Sequence, residues 1–501
     1  MNEVKMKKTS RRFGICIVAL LVWAAHGRTA DAEVDLLEIG GAPITVSGWM
    51  RTREYVWSYF QAGPIGGKTY ENRYNYQANV LRLGLSYQTE GVKFFIEMED
   101  PALINLPGNA LAPPPQGALG LGANYYQPLG QSSDATLFLK QGYVEFGSRI
   151  LEGLDIKGGR FEFNEGQDLM PTDPQLRWLV NYQISQRLIG NFQFSDVMRS
   201  FDGALGRYGN SHWNFTAMYG VPTRGVYDLN GWDEVGKTDV VYAALNAQST
   251  HRYGDALGRV FFIWYDDNRG LEPVDNQPSA VAAANTLPIG IETVGADAAT
   301  TVRVGPGVAD LMVWGAYQFG DWGSQSQQAW ASVAQIGYRL TEAPWQPWLR
   351  FIWQMTSGDS NPNNDVHGTF FQILPTPRTY ALNPVYNMMN NIDVGSEMIL
   401  EPLKNLESRT TLHGLWLSSS YDRWYAGGGA FDRHLFGYSA RPSFGKNYLG
   451  TELDSGFLWK LREHLTAGLF AGHFFGGSVV ASNFSEGRGE TFGYVESIIS
   501  F

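Results

Sequence analysis

The chain has 501 residues, of which 17% are charged, with 58 Gly, 16 Trp, 25 Tyr, 28 Phe, a single Cys and a net charge of -11. Abundant glycine and aromatics, a mean hydropathy of -0.22 and long apolar runs confined to the N-terminus exclude a helical membrane bundle, which needs about 20 apolar residues per span. No composition break divides the chain into the separate soluble domains that about 150 residues each would allow.

Residues 1–32 have the layout of an export signal. Lys5, Lys7, Lys8, Arg11 and Arg12 form a basic start, 13–25 an apolar stretch, and Ala30-Asp31-Ala32 a small-residue cleavage site. The twin-arginine pattern is incomplete, because Phe13 follows the arginine pair directly, so the general secretory route is expected. Removing 1–32 takes away six basic and two acidic residues, giving a mature charge of -11 - (6 - 2) = -15. It also removes Cys16, so no disulfide or thiolate-bound metal is expected in residues 33–501, read as one domain. Of the 32 remaining basic residues 24 are Arg, the side chain suited to directional contact with carboxylates.

Past the leader, segments of about ten residues alternate in polarity, as transmembrane β-strands do. In chain order the expected strands are 44–59, 78–88, 92–100, 136–146, 154–163, 200–207, 211–219, 239–249, 259–266, 291–303, 309–319, 328–338, 347–356, 409–419, 423–431, 447–459, 464–475 and 490–501, eighteen in all. Leu81, Leu83, Leu85 and Tyr87 share one face opposite Arg82, and Phe94, Ile96 and Met98 alternate with Glu97 and Glu99 across the Thr89-Glu90-Gly91 turn. Trp49, Tyr55, Trp57 and Tyr59 share a face with Arg51 and Arg53, which are read as lumenal. Long polar connections at 60–77, 101–135, 164–199, 220–238, 267–290 and 357–408 interleave with short ones, and only 320–327 is shorter than its class. The expected fold is all-β: an antiparallel outer-membrane barrel of about 18 strands, with long extracellular loops and short periplasmic turns. Trp49, Trp57, Tyr87, Trp264 and Trp459 are placed in its interfacial girdles. Val495, Ile499 and the final Phe501 resemble the signal read by the barrel-assembly machinery, although Ser497 departs from the apolar pattern. A barrel of this size is wide enough for an aqueous channel.

Several motifs carry little chemistry. The segment 62–69 nearly matches a phosphate-binding loop around Lys68 and Thr69, but a strand rather than a helix follows it. Asp359, Asn361, Asn363 and Asp365 place oxygens at alternate positions like a calcium loop, but Asn364 and Phe370 stand where Gly and Glu belong. No HExxH pattern or nucleophile elbow is present. No cofactor, nucleic-acid partner or enzymatic activity is expected.

Four motifs follow one another in register. Leu139-Lys140-Gln141-Gly142-Tyr143-Val144-Glu145-Phe146 precedes Gly158-Gly159-Arg160-Phe161-Glu162-Phe163, then Gln186-Arg187-Leu188-Ile189-Gly190 and Arg199-Ser200-Phe201-Asp202-Gly203-Ala204. This order resembles the alginate export family, whose members show a "QAYVEL"-like strand, a "GRQEL" strand, "RLIG" and "RSFDG". The resemblance extends to Leu81-Arg82-Leu83-Gly84-Leu85 and to Glu452-Leu453-Asp454. It implies an eighteen-strand barrel with an arginine-rich lumen that passes an anionic exopolysaccharide outward. By motif match the conduit positions are Arg82, Arg160, Glu162, Arg187, Arg199 and Asp202. Lys140 is added as a basic neighbour, and Arg51, Arg350, Arg378 and Arg409 for lying on or beside expected strands. Each could instead hold the barrel wall or an infolded loop. The segment 164–186 is longer than in many members and is expected to reshape the constriction, while 460–463 is too short to plug the lumen from the periplasm. Outer-membrane lipids and a periplasmic scaffold are the expected partners. An uptake porin for small anions or sugars, and a receptor working through its outer loops, remain alternatives.

Overall fold

The computed structural model of the protein describes residues 34–147, 151–252, 254–376, 382–426 and 434–501. The expected leader and Arg378 lie outside them. Eighteen strands close into one antiparallel ring: β1 Ala42–Ser58, β2 Arg73–Thr89, β3 Val92–Ile104, β4 Phe138–Gly147, β5 Leu154–Phe161, β6 Phe201–Gly209, β7 Trp213–Pro222, β8 Thr238–His251, β9 Gly254–Asp267, β10 Ile289–Val304, β11 Gly307–Trp322, β12 Gln325–Arg339, β13 Trp348–Thr356, β14 Ile392–Leu403, β15 Leu406–Trp416, β16 Tyr448–Arg462, β17 Leu465–Gly476 and β18 Gly489–Ser500. Closure comes from β1 pairing with β18, Trp49 opposite Ser500 through Ser58 opposite Thr491. Full closure leaves no sheet edge to lipid, the condition for a β-structure to cross a bilayer. No helix among the described residues is long and apolar enough to cross a membrane.

Period-two geometry sorts the side chains. On β11, Leu311, Val313, Tyr317 and Phe319 are exposed on the outer face, while Asp310, Met312, Trp314 and Gln318 are buried inside. Leu85, Phe94, Ile96, Trp330, Ile336 and Leu469 continue the apolar exterior. Tyr87, Trp264 and Trp459 lie on that outer face, as the girdle expectation requires. Trp49 and Trp57 do not. They share parity with Arg51 and Arg53 and turn inward with them, Trp57 packing 4.2 Å from Phe492.

Seventeen of the expected strands coincide with barrel strands, and one is displaced. The described part of 423–431 belongs to the loop over the mouth, where Arg423–Tyr425 pairs with Ala440–Pro442 in a separate ribbon. The missing wall strand is β14, inside the segment expected as one long loop. Its inward face holds Asp393, Gly395 and Glu397 and its outward face Ile392, Val394 and Met398, a short alternation inside a long connection of polar composition, whereas Trp424 and Tyr425 are adjacent aromatics buried in a loop. The turn at 323–324 is the short outer connection expected at 320–327. A further strand, Val34–Ile39, pairs with the start of β1 on the periplasmic side.

Candidate functional site

Two outer loops fold inward and fill the lumen: 162–200 between β5 and β6, and 357–391 between β13 and β14. The first starts its internal helix α1, Pro174–Leu179, with Asp173 accepting from the Leu176 amide at 2.7 Å and proline in the first turn, a local signal of a helix start. Beyond it the backbone reverses at Gln186 and Phe192, both left-handed with φ 63° and 60°. Such conformations cost non-glycine residues about 1–3 kcal/mol and persist where the surroundings enforce them.

Between those reversals, Arg187-Leu188-Ile189-Gly190 lies parallel to the second loop. The Leu374 amide donates to Leu188 O at 2.6 Å, Gly190 to Leu374 O at 2.7 Å and Thr376 to Gln186 O at 2.8 Å. A Cβ on Gly190 would sit 2.5 Å from Thr376 Oγ1, so glycine is what admits this approach. Gly203 of the Ser200–Ala204 motif serves the wall likewise, since a Cβ there would meet Tyr219 O at 2.0 Å.

The first loop is tied to walls on nearly opposite sides of the ring. On β1, Arg51 donates to Gln193 O and Ser195 O and pairs with Asp196 at 3.1 Å. Arg53 reaches Phe194 O at 2.7 Å. On β9, Arg259 pairs with Glu165. Gln183 meets Gln335 of β12 at 2.8 Å and Glu397 of β14 at 3.4 Å. Satisfying so many buried polar groups fixes the plug's position, because each left unmade would cost about 1–3 kcal/mol.

The wall itself carries a ring of directly opposed charges. Arg53 faces Glu496, Arg82 faces Glu99, Arg160 faces Asp202, Arg259 faces Asp297 and Arg350 faces Glu397 across neighbouring strands. Their N to O separations are 2.6, 2.7, 2.5, 2.7 and 3.1 Å. Opposite charges at facing register positions are the sheet's own stabilising unit.

The candidate positions therefore divide. Arg82 gathers Glu97 at 3.5 Å, Glu99 and Glu162 at 2.9 Å. Lys140 holds Glu162 at 3.3 Å and Arg199 O at 2.5 Å. Arg160 grips Asp202 through two nitrogens and also donates to Gly231 O and Trp232 O. Arg187 is fully buried in the plug, donating to Gln183 O at 2.7 Å. Arg350 also binds Asp310 and Gln335, and Arg409 pairs with Glu397. Arg199 donates its amide to Asn191 O at 3.0 Å and lines a separate recess with loop 223–237. Arg51, Arg82 and Glu162 converge with Arg53, Glu97 and Glu496 on a cavity of about 720 Å³ whose other walls are Gln186, Gln193, Phe194 and Thr376 of the plug. Ser500 lines it as well, which places it on the side of the short turns. Sequence reasoning did not select Arg53 or Arg259. Arg53 was findable from its shared face with Arg51, but nothing local marks Arg259 or its partners.

In the calcium-like segment, the side-chain oxygen of Asp359 accepts from the Asn361 amide at 2.9 Å and that of Asn361 from Asn363 at 3.2 Å. Asp365 gives its carbonyl to the Ser326 amide. These are Asx turns, and among the described residues no group of three or more His, Cys, Asp or Glu is arranged for a metal. Residues 62–69 form a glycine turn in the loop between β1 and β2, with the Lys68 ammonium 5.0 Å from the Tyr70 ring.

Asp422 joins the second plug loop to the loop between β15 and β16. It accepts from Thr369 Oγ1 at 2.6 Å, Tyr425 OH at 2.9 Å and the Asp359 amide at 3.0 Å. Burial raises this carboxyl to about 6. A folded-state value above the unfolded one means the protonated form stabilises the junction. That contribution is present below about pH 4 and lost as pH rises through 6. Hydrogen exchange of 357–376, corrected for intrinsic rates, is expected to be slower at pH 5 than at pH 7.5, and Asp422→Asn should remove the difference.

A family model described as alginate export matches residues 92–493. The chain belongs to the alginate export family. No curated protein sequence matches it significantly. Among solved structures, this family member is similar to the outer membrane protein OpdK from Pseudomonas aeruginosa, with a TM-score of 0.53 and 9% identity over 91% of this chain and 98% of that one. It is similar to OccK9 (OpdG) from the same organism, with a TM-score of 0.54, 9% identity and the same coverage. OccK2 (OpdF), in complex with glucuronate, gives 0.53 and 10% identity, again over 91% and 98%. At such identities the likeness is one of fold, that of an outer-membrane β-barrel.

Proposed function

We propose that the protein is a passive outer-membrane conduit for an anionic exopolysaccharide of the polyuronate kind, entering from the periplasm and leaving at the outer mouth. The observation that carries this reading is the cavity of about 720 Å³ beneath the plug, with Arg51, Arg53 and Arg82 on its wall beside Glu97, Glu162 and Glu496. Guanidinium groups in a low-dielectric recess raise the local concentration of carboxylates. The interleaved acids keep each contact weak enough to release the chain, since a conduit must allow both arrival and departure. Passage requires the plug to move, and the resting state is closed. The exterior faces membrane lipid, and a periplasmic scaffold delivers the polymer. OccK2, which shares the fold, is seen with glucuronate, a uronic acid.

The test is single-channel recording in a planar bilayer with polymannuronate added to either side. Anion preference with block from the short-turn side alone is expected, whereas a cation-selective pore indifferent to polyuronates overturns the reading. A second reading, an uptake porin for small carboxylates, is favoured by the plug itself, which narrows the lumen around a cavity of about 720 Å³. Faster swelling of barrel-bearing liposomes in glucuronate than in glucose, without polymer block, would select it.

A further inference from the structure

A second cavity lies beside the loop between β7 and β8, with Arg199 on its wall where Met198, one residue earlier, faces the first. Arg199, Arg224, Lys237 and Arg269 line a space of about 350 Å³ with Asp228 as the acidic residue of its lining. This is within the range of small-ligand sites, about 300–1,000 Å³. Loop 223–237 supplies most of its wall and is anchored to the plug, where Val226 bridges Val197 and the Thr223 amide donates to Ser200 O at 2.9 Å. The remaining wall comes from the end of β9, where Arg269 is held by Asp267 at 2.8 Å.

Four cations line this recess against one acidic lining residue, Asp228. Arg224 approaches Asp228 no closer than 4.0 Å, and Lys237 makes no ion pair among the described residues. Burial lowers Arg199 to about 10, the direction expected when water is withdrawn from a cation.

We infer that this recess is a carboxylate-binding site at the outer mouth, shaped for a uronate unit and distinct from the cavity beneath the plug. Arg224 offers a planar fork that fits a carboxylate and Lys237 a mobile point charge, while Arg269, held by Asp267, adds positive potential to the wall. The ligand is either a unit of the passing polymer or a free small carboxylate, which present the same group. The inference rests on the reading of the barrel as an anion conduit.

Calorimetric titration of the purified barrel with glucuronate, with glucose as the neutral control, tests it. Glucuronate should bind and glucose should not. The Arg224→Glu/Lys237→Glu variant, checked for folding by its heat-shifted electrophoretic mobility, should bind glucuronate at least about tenfold more weakly, the loss of one charge-assisted contact. Undiminished binding in the folded variant, or no binding to the wild type, overturns the site. Tighter binding of trimannuronate than of glucuronate identifies the polymer as the source, and the reverse order a free carboxylate. Polymer block from the periplasmic side is measured separately, so the conduit reading can fail while this site stands, and the site can fail while the conduit stands.

Discussion

Replacing Arg51 and Arg53 together by alanine is expected to raise single-channel conductance several-fold and to lengthen openings. These two guanidiniums fasten residues 193–196 of the plug to β1 through three carbonyls and Asp196. Without them the carbonyls lose their donors and Asp196 is left buried with Tyr55 and Tyr125 as its remaining hydroxyl partners. Removing one member of a buried ion pair costs about 3–5 kcal/mol, and here the cheapest relief is for the plug to leave the wall. The barrel should survive, because its strands are held by their own backbone ladder. Conductance equal to wild type in the folded double variant would mean that the plug is held elsewhere, for instance by Arg259 and Glu165.

Arg82→Ala should act on the wall instead. Arg82 is the shared counter-ion of Glu97, Glu99 and Glu162, and Lys140 reaches only Glu162 among them by direct pairing. Losing it leaves carboxylates facing one another at adjacent positions. A penalty of about 3–5 kcal/mol should appear as a lower temperature for conversion to the unfolded electrophoretic band. Residual current should turn towards cations, since Glu97, Glu162 and Glu496 then dominate the cavity. Arg82→Lys should recover only part of the stability, because one ammonium cannot span three carboxylates as a planar fork does. An unchanged conversion temperature in Arg82→Ala would remove this residue from the wall's charge ring.

The wall was largely legible because each strand states its inside and outside in local sequence, as Leu81 to Tyr87 does around Arg82. The displaced strand marks where that rule weakens. Residues 392–398 alternate as the other strands do, with an acidic inner face against Arg350 and Arg409, but inside a long polar connection, whereas Trp424 and Tyr425 are adjacent buried aromatics that pair with Ala440–Pro442 outside the ring. The arginine-bearing motifs lie on the wall and in the plug, but nothing in them states their contacts. Whether Arg160 faces Asp202, or Arg259 faces Asp297, depends on register between strands whose residues are 42 and 38 positions apart. Arg187 lies in a loop whose inward course no local pattern announces. The short 460–463 turn left the periplasmic side without a plug, and 162–200 and 357–391 both fold inward from the other side. Their mutual pairing through Gly190 and Leu374 is a tertiary fact.

The two-residue connection at 323–324 contrasts with those loops. In most barrels the long outer loops absorb insertions, variation and attack from outside, because nothing packs against them. Here the long segments serve as interior: Leu188, Ile189, Phe370 and Phe371 are as buried as any wall residue. Tolerance to change is therefore expected to run against length. An epitope tag spliced between Gly323 and Ser324 should be displayed on intact cells with the conductance unchanged, whereas the same tag spliced after Ile189 should displace the plug and leave the lumen open.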